Sequence, residues 1–219
     1  MYVANNGDPR SLQHEHVEYF DVQNYALGLI KKAVDDGRDI SLRHEVHGNV
    51  YVLASKGLCL AVLRNEEAFF TTAANKISSS SMSVAEVEAI LHNSTSYRPI
   101  EELLWQAGHY ASQGRLPEGY CEVIDVVQLD HWPNLTRLPS TANAVPMAAL
   151  LNRHASSLKL AARMLKIGLD EMCIFYTAAR MADIARPINR KDVVKEVTQL
   201  PEHNNRGLLA KLFAKAASL

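Results

Sequence analysis

Between Asn143 and Ala185 three helical periodicities follow one another with almost no chain between them, and this spacing limits the fold more than any other feature. The stretches run from Asn143 to His154, Ser156 to Lys166 and Leu169 to Ala185. Joints this short leave the helices no room to separate, so they must cross over a shared core. Pro146 suits the first turn of the first helix, Ser156 or Ser157 can cap the second, and Pro187 stops the third. Gly168 is placed to take a left-handed conformation at the turn between the second and third. Helical spacing names the shared core as Leu150, Leu151, Leu158, Ala161, Ala162, Leu165, Met172, Phe175, Ala179 and Ala182. The small Ala161 and Ala162 let the second and third helices approach closely.

The chain before this unit has a different rhythm. From Asp21, which suits an N-cap, apolar Val22, Tyr25, Ala26, Leu29, Ile30 and Ala33 recur at helical spacing up to Gly37. The runs ISLRHEV, NVYVLAS, LCLAVLR and AFFTT follow as β-type segments broken by turn-like residues, which predicts a small antiparallel meander packed on the first helix. The serines Ser78 to Ser81 are expected to be a linker. Beyond it, Ser83 and Glu86 form a capping-box pattern that opens a helix, a second helix runs from Pro99 to Ser112, and CEVIDVVQL is expected as a strand.

The expected fold class is therefore α+β, with an N-terminal helix and antiparallel sheet, a helical connector and a C-terminal three-helix unit. Its expected segments are a flexible lead over 1–20, an N-terminal α+β domain over 21–77 and a connector with one strand over 78–135. The three-helix unit occupies 136–188, and a hinge with a C-terminal amphipathic helix occupies 189–219.

The stretch AALLNRHASSLKLAARMLKIGLDEMCIFYTAARMADIA resembles the winged-helix superfamily, in which a second helix with small residues, a Gly-containing turn and a longer third helix recur. The resemblance covers about a fifth of the chain and implies a fold more than a function. Winged helices are commonly DNA binders whose third helix enters the major groove. On a helical wheel of about 100 degrees per residue the outward face of this third helix carries Asp170, Ile174, Thr177 and Met181, with Arg180 on the flank. Base reading calls for Arg, Lys, Asn or Gln, so this face suits another protein surface better. The second helix carries Lys159, Arg163 and Lys166 at i, i+4 and i+7, a stripe that can contact phosphates or stand as a solvated face.

Net charge narrows the partners. The chain totals −1, but residues 136–219 carry 13 Lys and Arg against 6 Asp and Glu, whereas residues 1–135 carry 10 against 18. Such asymmetry serves nucleic-acid binding or docking of one half on the other or on a second copy. In the tail, Leu208, Leu209, Leu212, Phe213, Ala216 and Leu219 share one helical face opposite Lys211 and Lys215, which predicts a short docking helix.

Chemistry finds little support. Neither a P-loop, a GxGxxG turn nor a GxSxG elbow occurs, and Cys59, Cys121 and Cys173 lack metal-site spacing. His44-Glu45-Val46-His47 has its histidines at i and i+3 in a strand and turn, not at i and i+4 on a helix, and His14 and His16 are two ligands without a third. Catalytic residues, metal and cofactor are therefore not expected. The start MYVANNGDPR lacks a signal-peptide pattern and no apolar run spans a bilayer, so integral membrane insertion is not expected and a cytoplasmic location is. The residues favour a non-enzymatic, bacterial-type regulatory or adaptor protein whose partner is another protein or a second copy of itself. Its expected contact face is Ile174, Thr177, Met181, Leu212 and Phe213. The alternative is a DNA-binding transcriptional regulator, with Lys159, Arg163, Lys166 and Arg180 on phosphates.

Overall fold

A computed structural model describes residues 17–189. The lead before Val17 and the expected tail helix with Leu212 and Phe213 lie outside the described residues.

The first helix, α1 (Ala26–Asp35), follows a 3-10 turn over Val22–Asn24 whose N-cap Asp21 accepts from the Gln23 N–H at 2.8 Å. Its buried Ala26, Leu27, Ile30 and Ala33 face a sheet built from β2 (Ile40–His44), β3 (Gly48–Leu53) and β4 (Leu58–Leu63). The short β1 (Tyr19–Phe20) precedes them, so residues 19–20 are not the flexible lead expected. They pair in parallel with β7 (Leu116–Pro117), far along the chain.

Two further expectations are overturned in this half. AFFTT is not a strand: Asn65 accepts from the Ala68 N–H at 2.9 Å and starts α2 (Glu66–Thr71), in which Phe69 and Phe70 are fully buried. The Asn cap and two following glutamates outweigh the β preference of Phe and Thr. Nor is the serine run a linker. It forms β5 (Ser78–Ser81), paired antiparallel to β2 with Ser78 opposite Arg43 and Ser81 opposite Ile40. Serine side chains give no hydrophobic signal, so backbone pairing alone defines this strand. The sheet runs β5-β2-β3-β4-β6, where β6 (Arg98–Pro99) closes the far edge. Between β5 and β6 lies α3 (Val84–Asn93), opened by the expected capping box: Ser83 accepts from the Glu86 N–H while Glu86 accepts from the Ser83 N–H.

α4 (Ile100–Ser112) follows, and two cores meet along it. Leu103, Leu104, Ala107 and Ala111 belong to the core under the five-stranded sheet. Trp105 points the other way, into the core of the C-terminal unit, and its indole donates to the Pro139 carbonyl at 2.9 Å.

That second core is made by α5 (Ala144–Arg153), α6 (Leu158–Leu165) and α7 (Leu169–Met181). Eight of the ten core residues read from helical spacing are buried in it, and the other two, Leu150 and Leu165, pack partly buried against it. A three-stranded antiparallel sheet of order β10-β8-β9 lies with these helices. Its members are β8 (Val126–Leu129), β9 (Ser156–Ser157) and β10 (Ala185–Pro187). The expected strand CEVIDVVQL is thus real only over its last four residues, and the third helix stops at Met181 rather than Ala185. β8 also shows that the C-terminal unit begins before Thr136.

The two cores are locked by the crossing of α4 and α7. At Gly108 of α4 a Cβ would stand 3.1 Å from both the Ala178 Cα and the Met181 Cβ of α7, so glycine permits a backbone-to-backbone approach there. Met181 passes through this crossing to reach the N-terminal core. Beside it, Arg115 donates to the Ser112 and Ala111 carbonyls and to the Tyr25 hydroxyl, and its guanidinium lies 5.1 Å from the centre of the Phe20 ring. Its own carbonyl accepts from Thr177 of α7 at 3.3 Å.

Replacing Gly108 with valine adds atoms where even a methyl group is tight. The gain of about 1 kcal/mol in helix propensity from removing a glycine is smaller than the cost of overpacking with a β-branched side chain, typically about 1–3 kcal/mol. Chemical denaturation of Gly108→Val is expected to show a net loss of about 1 kcal/mol, the middle of the balance between these two effects, and an increase in stability would refute a tight crossing.

Candidate interaction face

α6 is a short helix with strongly defined ends. Ser157 caps it by accepting from the Leu160 N–H at 3.3 Å. At its C-terminus Lys166 takes the left-handed conformation with φ 56°, and the N–H of Ile167 reaches the Ala162 carbonyl at 3.1 Å. The left-handed residue of this turn is therefore Lys166, not Gly168 as expected. A lysine there costs about 1 kcal/mol, which the helix-ending hydrogen bonds offset. Gly168 is extended, with φ −64°, and starts α7.

The two helices differ in what they show to solvent. α7 is largely internal: eight of its thirteen residues are buried, and Asp170 is the one exposed position. This corrects the expected contact face. Thr177 and Met181 are both fully buried against α4, and Ile174 is half-buried. The wheel placed them outward because it compared α7 only with α5 and α6; α4, distant in sequence, covers that side.

Arg180 is also held within the chain. Its side chain is 19% exposed, lies 5.7 Å from the centre of the Tyr120 ring, and stands 3.9 Å from Asp183. These partners remove it from the candidate phosphate contacts. Glu171, in the first turn of α7, is similarly committed, accepting from the backbone and side-chain N–H groups of Asn143 at 2.9–3.2 Å. Burial pushes its carboxyl up, but the hydrogen bonds from Asn143 and Thr141 outweigh this and hold it below its ordinary value.

α6 presents the open surface. Leu158, Ala161 and Ala162 face the core, leaving two neighbouring stripes on the other side. One is basic: Arg163 and Lys166 are exposed and Lys159 is half-buried. The second stripe, Leu160 and Met164 at i and i+4, is 51% and 57% exposed. Ile124, 74% exposed, sits on the loop whose Val123 carbonyl accepts from the Lys159 N–H at 3.4 Å. The apolar stripe escaped sequence reasoning, which weighed the basic residues as phosphate contacts or a solvated face and did not weigh the leucine and methionine beside them. The signal was present in the LKLAARML pattern, which has more apolar residues than one inward face can use.

Of the histidine pairs, His14 and His16 lie outside the described residues. His44 and His47 stack with ring centres 4.3 Å apart, and the His44 Nδ1 accepts from the N–H groups of Val46 and His47. Among the described residues no group of three or more His, Cys, Asp or Glu could hold a metal ion, and no helix is long and apolar enough to cross a membrane. No family model, curated protein or solved structure matches the chain.

The three cysteines are free thiols and buried. Burial pushes the Cys59 and Cys173 thiols up to about 12. The thiolate is the reacting form, so burial slows exchange both by raising the pKa and by denying access. Native protein treated with a disulfide-exchange reagent is expected to leave both unlabelled for as long as it stays folded. Rapid labelling of either without unfolding would contradict their burial.

Proposed function

We propose that the protein is a non-enzymatic regulatory or adaptor protein, cytoplasmic, which binds another protein through the exposed face of α6. The carrying observation is the division of roles between the two helices: α7 is enclosed by its own chain, while α6 exposes Leu160 and Met164 beside Arg163 and Lys166. Covering two half-exposed side chains of this size contributes on the order of 1 kcal/mol each. The basic stripe adds steering and register toward a partner with complementary charge. The partner surface is therefore apolar with an acidic border.

A winged-helix-like reading of the C-terminal unit is supported by its order of elements. A short strand, β9, lies between the first two helices, β10 follows the third, and both flank a central antiparallel strand. The central strand, β8, enters from before α5 rather than from after α7. The alternative of a DNA-binding regulator needs a third helix that offers side chains to the major groove. Asp170 is the only exposed residue of α7 and would repel phosphate.

A photo-crosslinking amino acid at position 164 of the full chain is expected to trap a discrete protein adduct in cells, and Leu160→Glu is expected to abolish it without lowering Tm. Titration of fluorescent duplex DNA at about 150 mM salt is expected to give micromolar or weaker, sequence-independent binding. Failure to trap any adduct, or nanomolar sequence-selective DNA binding at that salt, would overturn the adaptor reading.

A further inference from the structure

The outer face of the five-stranded sheet, turned away from α1, carries two recesses that meet at Val62. Strand alternation sends Leu42, Val50, Val52 and Cys59 inward to the core and their neighbours outward. Register then builds two rows across the outer face. Arg43, Asn49 and Val62 stand opposite one another in the first; Ser41, Tyr51 and Leu60 form the second. The rows are about 7 Å apart, two residues along a strand.

The first recess, of about 330 Å³, is lined by Arg43, His44, Asn49 and Arg64, with Glu45 also at its edge. Both arginines are exposed, and neither makes an ion pair or a side-chain hydrogen bond among the described residues. The His44 Nδ1 already accepts two backbone N–H groups, so its Nε2 carries the proton and can donate. Gly48, at the edge of the recess, lets β3 approach the β4 backbone closely. Its φ is +110°, and a Cβ there would lie 2.2 Å from the Val62 carbonyl oxygen. Two guanidinium groups, an amide and an imidazole N–H are donors suited to a compact anion with several acceptor oxygens.

The second recess, of about 570 Å³, lies between β3, β4 and α3. Tyr51, Leu60, Val62 and Ile90 give it an apolar wall, and Asn93 and Ser96 stand at its rim. A ring or short apolar body fits there, against the Tyr51 face.

From this juxtaposition we infer that the outer sheet face is a binding site for a small phosphate monoester with an aromatic or apolar body. The phosphate lies between Arg43 and Arg64, and the body lies over Tyr51 and Leu60. The site is remote in sequence from the α6 face and does not depend on the adaptor reading.

Isothermal titration of the full chain with phenyl phosphate tests it, with inorganic phosphate, phenol and benzoate as separate probes. Phenyl phosphate is expected to bind saturably and at least tenfold more tightly than each of the other three. Arg43→Gln and Arg64→Gln, both at exposed positions, are each expected to weaken it at least tenfold without changing Tm. Leu60→Ser is expected to weaken phenyl phosphate while leaving inorganic phosphate unchanged. The inference is overturned if phenyl phosphate shows no saturable binding up to 10 mM, if either arginine variant binds as the wild type does, or if benzoate or inorganic phosphate binds equally well.

Discussion

Where α4 crosses α7, two hydrophobic cores meet along a single helix pair. Gly108 brings the helix backbones together, Met181 passes from one core into the other, and Trp105 passes in the reverse direction. Such an interface is dominated by close packing of small and apolar groups, whose contribution grows with area and falls steeply with any gap. Polar groups then give it register. Arg115 joins the end of α4 to the Tyr25 hydroxyl and, through its carbonyl, to Thr177.

The charge asymmetry plays a smaller part in this union than its size suggests. Across the acidic and basic halves, Arg137 meets Glu102 at 3.5 Å and Arg186 meets Asp130 at 2.8 Å. Both pairs are exposed in at least one partner, and such ion pairs contribute about 0–1 kcal/mol. The basic surplus instead remains partly at the surface, where Arg163 and Lys166 border an apolar stripe. An enclosed α7 and an open α6 thus follow from one packing decision. The helix that the three-helix pattern offers for recognition is used to hold the chain together, and the neighbouring helix is left to face a partner.

How much of this could be read beforehand depended on whether the signal was local. Much of the α5–α6–α7 core was legible because three amphipathic helices with short joints admit few arrangements, and the capping box at Ser83 was legible because its hydrogen bonds span three residues. β2, β3 and β4 were legible from alternation. AFFTT misled because β propensity measures fit to a half-buried pleated surface, and here Asn65 starts a helix that buries the same phenylalanines. The serine strand was silent because its pairing uses backbone groups that every residue has. The outward wheel face of α7 failed for a third reason: a wheel knows only one helix, and the partner helix α4 is remote in the chain.

Taken alone, the sequence determined the α+β class, the three-helix core, the central strands β2, β3 and β4 and the excess of basic residues in the last third. Each rests on periodicity or capping within a window of about a dozen residues, the range over which side-chain direction follows from backbone geometry. Tertiary structure decided which surfaces remained available. Burial of Thr177 and Met181, exposure of Leu160 and Met164, and the convergence of Arg43 and Arg64 on one recess all depend on contacts between segments far apart in the chain. Those contacts are set by how whole faces pack, and local sequence carries no information about which distant face will arrive.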